Sequence, residues 1–224
     1  MPETISRQSR YQNFGAPGEA DEAERLQTLA EILQTIPHLM AILSCIRDQQ
    51  LRDAWLVSGG IYQTIWNVIT GRSLTYGIKD YDVIYFDGRD LSYEAEDAVI
   101  TRINKALPEL ANVLEVRNQA RVHLWYKQRF GRPYRPLDCS MDSLTTYAAR
   151  THAVAARLDH QDNIILHAPF GLANLFGMRL VPNYSQPNPE TYAEKAERMK
   201  ALWPELEIVP WDDLEFTSRQ TKTD

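Results

Sequence analysis

The sequence predicts an α/β (α+β) domain: a small mixed sheet flanked by helices, with a C-terminal extension. Three observations predict it. Up to residue 116, stretches with apolar residues at three- and four-residue spacing alternate with short β-rich runs, in the order helix–strand–helix–strand–helix–strand. The 224 residues are 44% hydrophobic and 24% charged, ordinary values for a globular chain. A chain of this length buries roughly 70% of its extended surface without staples. No apolar run approaches the ~20 residues a membrane helix requires, so a spanning protein is not expected.

The elements follow in order. Residues 1–19 are polar, with Gly15, Pro17 and Gly18 close together, and read as a flexible tail. A helix is expected from about Ala20, with Leu26, Leu29, Ala30 and Leu33 forming one buried stripe. Pro37 suits the first position of a second helix, whose Leu39, Met40, Leu43 and Ile46 face inward. Residues 54–57 make a short buried strand. Gly59 and Gly60 then open a helix that runs to Thr70 and stops at Gly71, with Ile61, Ile65, Val68 and Ile69 on one face. Residues 81–86 are a strand. A helix from Ser92 to Leu107 turns Ala95, Val99, Ile103 and Ala106 inward, and 112–116 is a third strand. Residues 118–130 fit a sheet extension or a helix equally. Asp142 or Ser143 opens a short helix to Arg150. Residues 153–158 and 163–167 form a hairpin around Asp162-Asn163, 170–178 a short helix, and 189–202 a longer one after Pro187 and Pro189. The predicted organisation is a single domain over 20–212, its motifs concentrated in 50–135, with a flexible tail at 213–224.

Charge and cysteines narrow the function classes. Net charge is −6, which disfavours a general nucleic-acid coat protein. The stretch 116–137 nevertheless carries Arg117, Arg121, Lys127, Arg129, Arg132 and Arg135 and no acid. It fits either a site for something anionic or a solvated surface balancing acidic neighbours. The N-terminus has no apolar signal core, and Cys45 and Cys139 show neither zinc nor disulfide spacing. A reducing cytoplasm is the expected location.

Three features carry chemistry. In SGGIYQTIWN (58–67), a Gly-Gly turn joins a buried strand to a helix. Glycines admit close approach of a ligand, and a helix start favours phosphate, although a plain tight turn has the same appearance. In KDYDVIYFD (79–87), Asp80 and Asp82 point to one side of a strand, roughly 6.6–7 Å apart. Two adjacent carboxylates repel, and magnesium favours one or two carboxylates with substrate phosphates; a solvated turn is the alternative. In VLEVRNQARVH (113–123), Glu115 interrupts an apolar strand and needs a partner, a metal or water; arginines, suited to phosphate, follow at once.

Other residues read as structural. His123 and His167 suit hydrogen-bonded positions better than proton shuttling. Ser58 and Ser140 lack a His and an acid at triad spacing. Asp138 and Asp142 suit a loop and helix cap better than a second metal site. Trp125 and Tyr126 suit packing better than stacking on a base.

A Gly-rich turn, an Asp-x-Asp strand and a later strand acid, in that order, resemble the DNA polymerase β-like nucleotidyltransferase superfamily. The run from Gly59 to Asp87, RNQARVHLWY, APFGLANLF and the closing WPELEIVPW further resemble one small bacterial family of nucleotidyltransferase-like proteins, over about residues 50–212. The resemblance implies a nucleotidyltransferase core and an enzyme that transfers a nucleoside monophosphate from an NTP to an unknown acceptor, releasing pyrophosphate. It implies catalytic and metal-binding roles for Asp80, Asp82 and Glu115, with Mg²⁺ or Mn²⁺ as cofactor; many superfamily members have aspartate as the third acid. Gly59 and Gly60 match the glycine motif that faces the triphosphate. Ser58, Lys79, Arg117, Gln119 and Arg121 complete the expected nucleotide-binding set. A small-molecule or protein acceptor is slightly favoured over nucleic acid. The alternative is a non-catalytic nucleotide-binding or regulatory protein on the same fold, toxin-neutralising in one version.

Overall fold

A computed structural model describes residues 11, 14–185 and 188–212. The tail expected at 213–224 and most of that expected at 1–19 lie outside the described residues. Two N-terminal aromatics are seated on the body rather than loose. Tyr11 is buried, and Phe14 packs edge-on against Phe176 with ring centroids 5.2 Å apart.

Helix α1 (Glu22–Gln34) begins at a capping box: Asp21 accepts from the Glu24 amide at 2.8 Å, and Glu24 accepts from the Asp21 amide at 2.9 Å. Such a cap is worth about 1 kcal/mol. Helix α2 (Pro37–Asp48) starts on its proline, as expected. Strand β1 (Trp55–Val57) leads into α3 (Gly59–Thr70), which Gly71 ends in the left-handed region at φ 67°. Then follow β2 (Tyr81–Tyr85), α4 (Tyr93–Ala106) and β3 (Leu114–Asn118). The ambiguous stretch after β3 resolves as a 3-10 turn and helix α5 (Val122–Phe130). The helix expected at 142–150 is instead a 3-10 segment, Ser140–Thr146, with a second 3-10 turn at Arg150–His152. The hairpin is β4 (Ala155–Leu158) and β5 (Ile164–His167). Helix α6 (Ala173–Phe176) is shorter than the expected 170–178. Strand β6 (Arg179–Leu180), helix α7 (Pro189–Leu202) and strand β7 (Glu207–Ile208) close the chain, so part of the C-terminal extension is tied down in a two-stranded parallel sheet.

The main sheet runs β3-β2-β1-β4-β5. Strands β2 and β3 are parallel and the other neighbours antiparallel. Side chains alternate between its faces. Leu56, Tyr81, Val83, Leu114, Val116 and Ala156 enter the main core with α1–α4. Trp55, Val57, Ile84 and Ala155 face the other way, where Leu144, Met141, Tyr147 and Phe170 cover them. That cover does not extend over β3, whose Glu115 and Arg117 stay exposed between buried neighbours.

In α4 the inward stripe differs from expectation. Ile103 is buried, but Ala106 is exposed, and Glu96 is buried in the first turns. Glu96 accepts from the Asn118 amide at 2.8 Å and pairs with Arg121. Among the described residues no single helix is long and apolar enough to cross a membrane; α1 and α2 together approach that composition but bend by 97° at their junction.

Candidate active site

The uncovered part of the sheet floors a cavity of about 480 Å³. Its floor carries Asp82, Ile84, Glu115 and Arg117, and Ser58 and residues of α5 and α7 line the rest. The register brings the acids together. Asp82 pairs with Val57 on one side and Glu115 on the other. Adjacent strands lie about 4.8 Å apart, so the Asp82 and Glu115 side chains leave one face as neighbours. Asp80 precedes β2, half-buried, close enough for its charge to act on Asp82.

Electrostatically the crowding falls on Asp82. Burial first, then the charges of Asp80 and Glu115, push the Asp82 carboxyl up to about 7; Lys195 and Arg117 act in the opposite direction. Glu115 has a partner in Arg117 at 3.6 Å, and both side chains are about half exposed. Asp80 and Asp82 make no hydrogen bond or ion pair among the described residues. A divalent cation suits this donor set, since it would offset both the burial and the like-charge repulsion that push the Asp82 carboxyl up. No group of three acid, histidine or cysteine side chains among the described residues is arranged to hold a metal by itself. Magnesium commonly takes one or two carboxylates and completes its shell with phosphate oxygens and water, and the Asp80–Asp82 pair fits that pattern.

The β1–α3 turn is tight for a steric reason. A Cβ on Gly60 would meet the Tyr81 ring at 2.7 Å, so glycine lets α3 pack directly against β2. Ser58 has φ 57° and ψ −120°, an unfavourable conformation for a residue with a Cβ, and gives α3 no side-chain cap. The first amides of α3 are therefore not capped by it.

The remaining expected residues separate. Ser58, Arg117 and Gln119 line the cavity, while Gly59 and Gly60, next in sequence to Ser58, are buried and outside the lining. Lys79 is exposed and lies outside the lining. Arg121 is directed elsewhere. Its guanidinium pairs with buried Glu96, donates to the Leu91 carbonyl at 2.8 Å and lies over the Tyr93 ring. The RNQARVH segment works as a clamp: Asn118 accepts from the Ala120 and Asp87 amides and donates to the Asp87 carbonyl. That bonding turns the chain out of β3 into α5.

Sequence reading missed the α7 lining. Asn188, the N-cap of α7, and Thr191 and Lys195 within the helix line the cavity, while Tyr192, Ala196 and Met199 fill the core. That split of polar and apolar positions was the available signal. His152 joins them, 2% exposed and stacked on Tyr62 with ring centroids 4.3 Å apart. Burial, then the charges of Lys195 and Arg198, hold it well below the usual imidazole range, so it is neutral at pH 7. The Nε2 of His152 and Oδ1 of Asn188 lack partners among the described residues. Trp125 and Tyr126, expected in packing, are half-buried and form cavity wall. Asp142 accepts from the Asp138 and Cys139 amides, the loop-and-cap arrangement expected of it.

A family model described as a nucleotidyltransferase matches residues 44–208. A solved structure, described as an NMR structure that reveals a CCA-adding enzyme head domain, is similar with a TM-score of 0.66 and 26% identity. The alignment covers 82% of this chain and 95% of that one. No curated protein matches the chain.

Proposed function

This chain belongs to the nucleotidyltransferase family, and on that premise we propose that it transfers a nucleoside monophosphate from an NTP to an acceptor hydroxyl, with a divalent cation bound at Asp80 and Asp82 and with Glu115 facing the acceptor. The observation that carries the proposal is the pairing of Asp82 with Glu115 on the floor of the cavity. The acceptor oxygen bonds to the α-phosphorus, the bond from that phosphorus to the α–β bridging oxygen breaks, and pyrophosphate leaves with the electron pair. The hydroxyl proton passes to the carboxylates of the site. When bound, Mg²⁺ or Mn²⁺ would neutralise charge on the transferring and leaving oxygens.

The protein's own groups bind and orient. Asp80 and Asp82 hold the cation, and Glu115 faces the incoming hydroxyl. Ser58 and the first amides of α3 cradle the phosphates, and Arg117 and Lys195 offset their charge. Neutral His152 and Asn188 offer hydrogen-bonding groups in the same cavity. Arg121 has a structural part in this scheme, because its charge is already met by Glu96. Free thiols at Cys45 and Cys139 suit a reducing cytoplasm.

Thermal unfolding with each of the four NTPs, with and without Mg²⁺, tests the proposal. A ligand at 100 times its Kd adds about 2.7 kcal/mol, roughly 5–10 °C for a chain of this size. The expected result is a Mg²⁺-dependent shift that is lost in Asp80→Asn/Asp82→Asn, followed by pyrophosphate release with a competent acceptor. Equal shifts in wild type and double variant would overturn the assignment of the acids.

A further inference from the structure

The wall formed by α5 and the loop after it is not used by the chemistry above. Four rings meet there: Tyr126 lies 4.7 Å from Phe130 and 4.6 Å from Tyr134, and Trp125 lies 6.3 Å from Phe130. All four line the cavity that holds Asp82 and Glu115. The rings are not a closed core, since Phe130 is 50% exposed and neighbouring Leu124 is 55% exposed. Exposed cations surround them. Lys127, Arg129 and Arg135 make no ion pair among the described residues, and Arg129 lies over the Phe130 ring at 5.5 Å.

From this juxtaposition we infer that the α5 wall binds single-stranded nucleic acid, stacking its terminal bases on Trp125, Tyr126, Phe130 and Tyr134 so that a strand-end hydroxyl reaches Glu115. The inference rests on the transfer reading of that site and names its acceptor. Two features favour a strand over the base of the NTP alone. Lys127, Arg129 and Arg135 lie outside the cavity lining, where one nucleotide in the cavity does not extend but successive backbone phosphates do. The acid-free run from 116 to 137 also makes this face locally basic on a chain of net charge −6. Two features favour a single strand over a duplex. A duplex hides its base faces, and aromatic side chains bind unstacked bases of any sequence.

The test is fluorescence anisotropy of an end-labelled ten-nucleotide single strand and of the same strand in a duplex, without NTP or divalent metal. The single strand is expected to bind at 50 mM salt and the duplex at least tenfold more weakly. With three phosphate contacts, raising salt to 200 mM costs roughly 15- to 20-fold in affinity. Arg129→Glu/Arg135→Glu, at exposed positions, should weaken binding and flatten the salt dependence. Trp125→Ala and Phe130→Ala should each weaken it roughly five- to 150-fold. Far-UV circular dichroism on each variant separates this loss from unfolding.

Absence of strand binding at low salt, equal duplex binding, or indifference to both sets of variants overturns the inference. So does tryptophan quenching by mononucleotides but not by the strand that is lost in Trp125→Ala, which would give the wall to the NTP base. Asp82→Asn separates the two proposals, because it should abolish the Mg²⁺–NTP response while strand binding persists.

Discussion

Replacing Asp82 by asparagine should stabilise the metal-free protein and do so increasingly as pH rises. The carboxyl is pushed from its ordinary 3.8 up to about 7 by burial and by Asp80 and Glu115. A carboxyl that holds its proton more tightly when folded adds stability in full below about pH 3.8, and loses it as pH rises through about 7. At 1.36 kcal/mol per pH unit the ceiling is about 4 kcal/mol. Water in an open cavity screens part of this, leaving about 2 kcal/mol, or roughly 4–8 °C in Tm. The assay is thermal unfolding of wild type and Asp82→Asn from pH 5 to 8.5 in chelator. The gap should be largest at pH 8 and less than half as large at pH 5. Mg²⁺ should narrow it by stabilising wild type alone. A gap that is missing at pH 8, or constant across pH, would refute the claim that unneutralised acids strain this site.

Other changes have equally definite outcomes. Arg121→Ala leaves Glu96 buried without its cation and should cost roughly 3–5 kcal/mol in urea unfolding; a loss below about 1 kcal/mol would contradict the structural role. Lys195→Ala removes the α7 cation beside Asp82 and should weaken Mg²⁺–NTP binding roughly ten- to 150-fold by calorimetry. Unchanged affinity in a folded variant would remove Lys195 from the phosphate site. Ser58→Gly relieves the backbone at φ 57° and should raise Tm by an amount equivalent to about 1 kcal/mol; a lower Tm would mean that the serine side chain contributes more than its conformation costs.

Local patterns made much of this legible. Pro37, Gly71 and the spacing of Leu29 and Leu33 marked helices without reference to the rest of the chain, and Asp80 and Asp82 were visible as a pair, although only Asp82 lies on the strand. What depended on distant pairing was not. That Glu115 stands beside Asp82 follows from the parallel β2–β3 register, which no short window contains. The stretch after β3 was undecidable by periodicity because Asn118, through its side-chain bonds to Ala120 and Asp87, decides where strand becomes helix. Arg121 looked like a phosphate ligand because a charge count does not reveal its partner. Glu96, Val99 and Ile103, at i, i+3, i+7, were the clue, a carboxylate on the inward stripe of α4. Lys195 escaped notice because α7 reaches the cavity only through tertiary packing. Trp203, just after it, donates to Asn67 at 3.0 Å, and the single Tyr192 hydroxyl lies 2.9 and 2.6 Å from the Leu180 and Val209 carbonyl oxygens.

The anchoring of α7 also bears on how the protein is made. A ribosome releases the acids of β2 and β3 long before Lys195, Thr191 and Asn188. Until α7 docks against α3, the nascent chain has the acids of the floor without Lys195 beside them. Nucleotide capture is therefore one of the last properties the growing polypeptide acquires, and an NTP that binds the floor and α7 at once would favour completion of the fold over its half-built precursors.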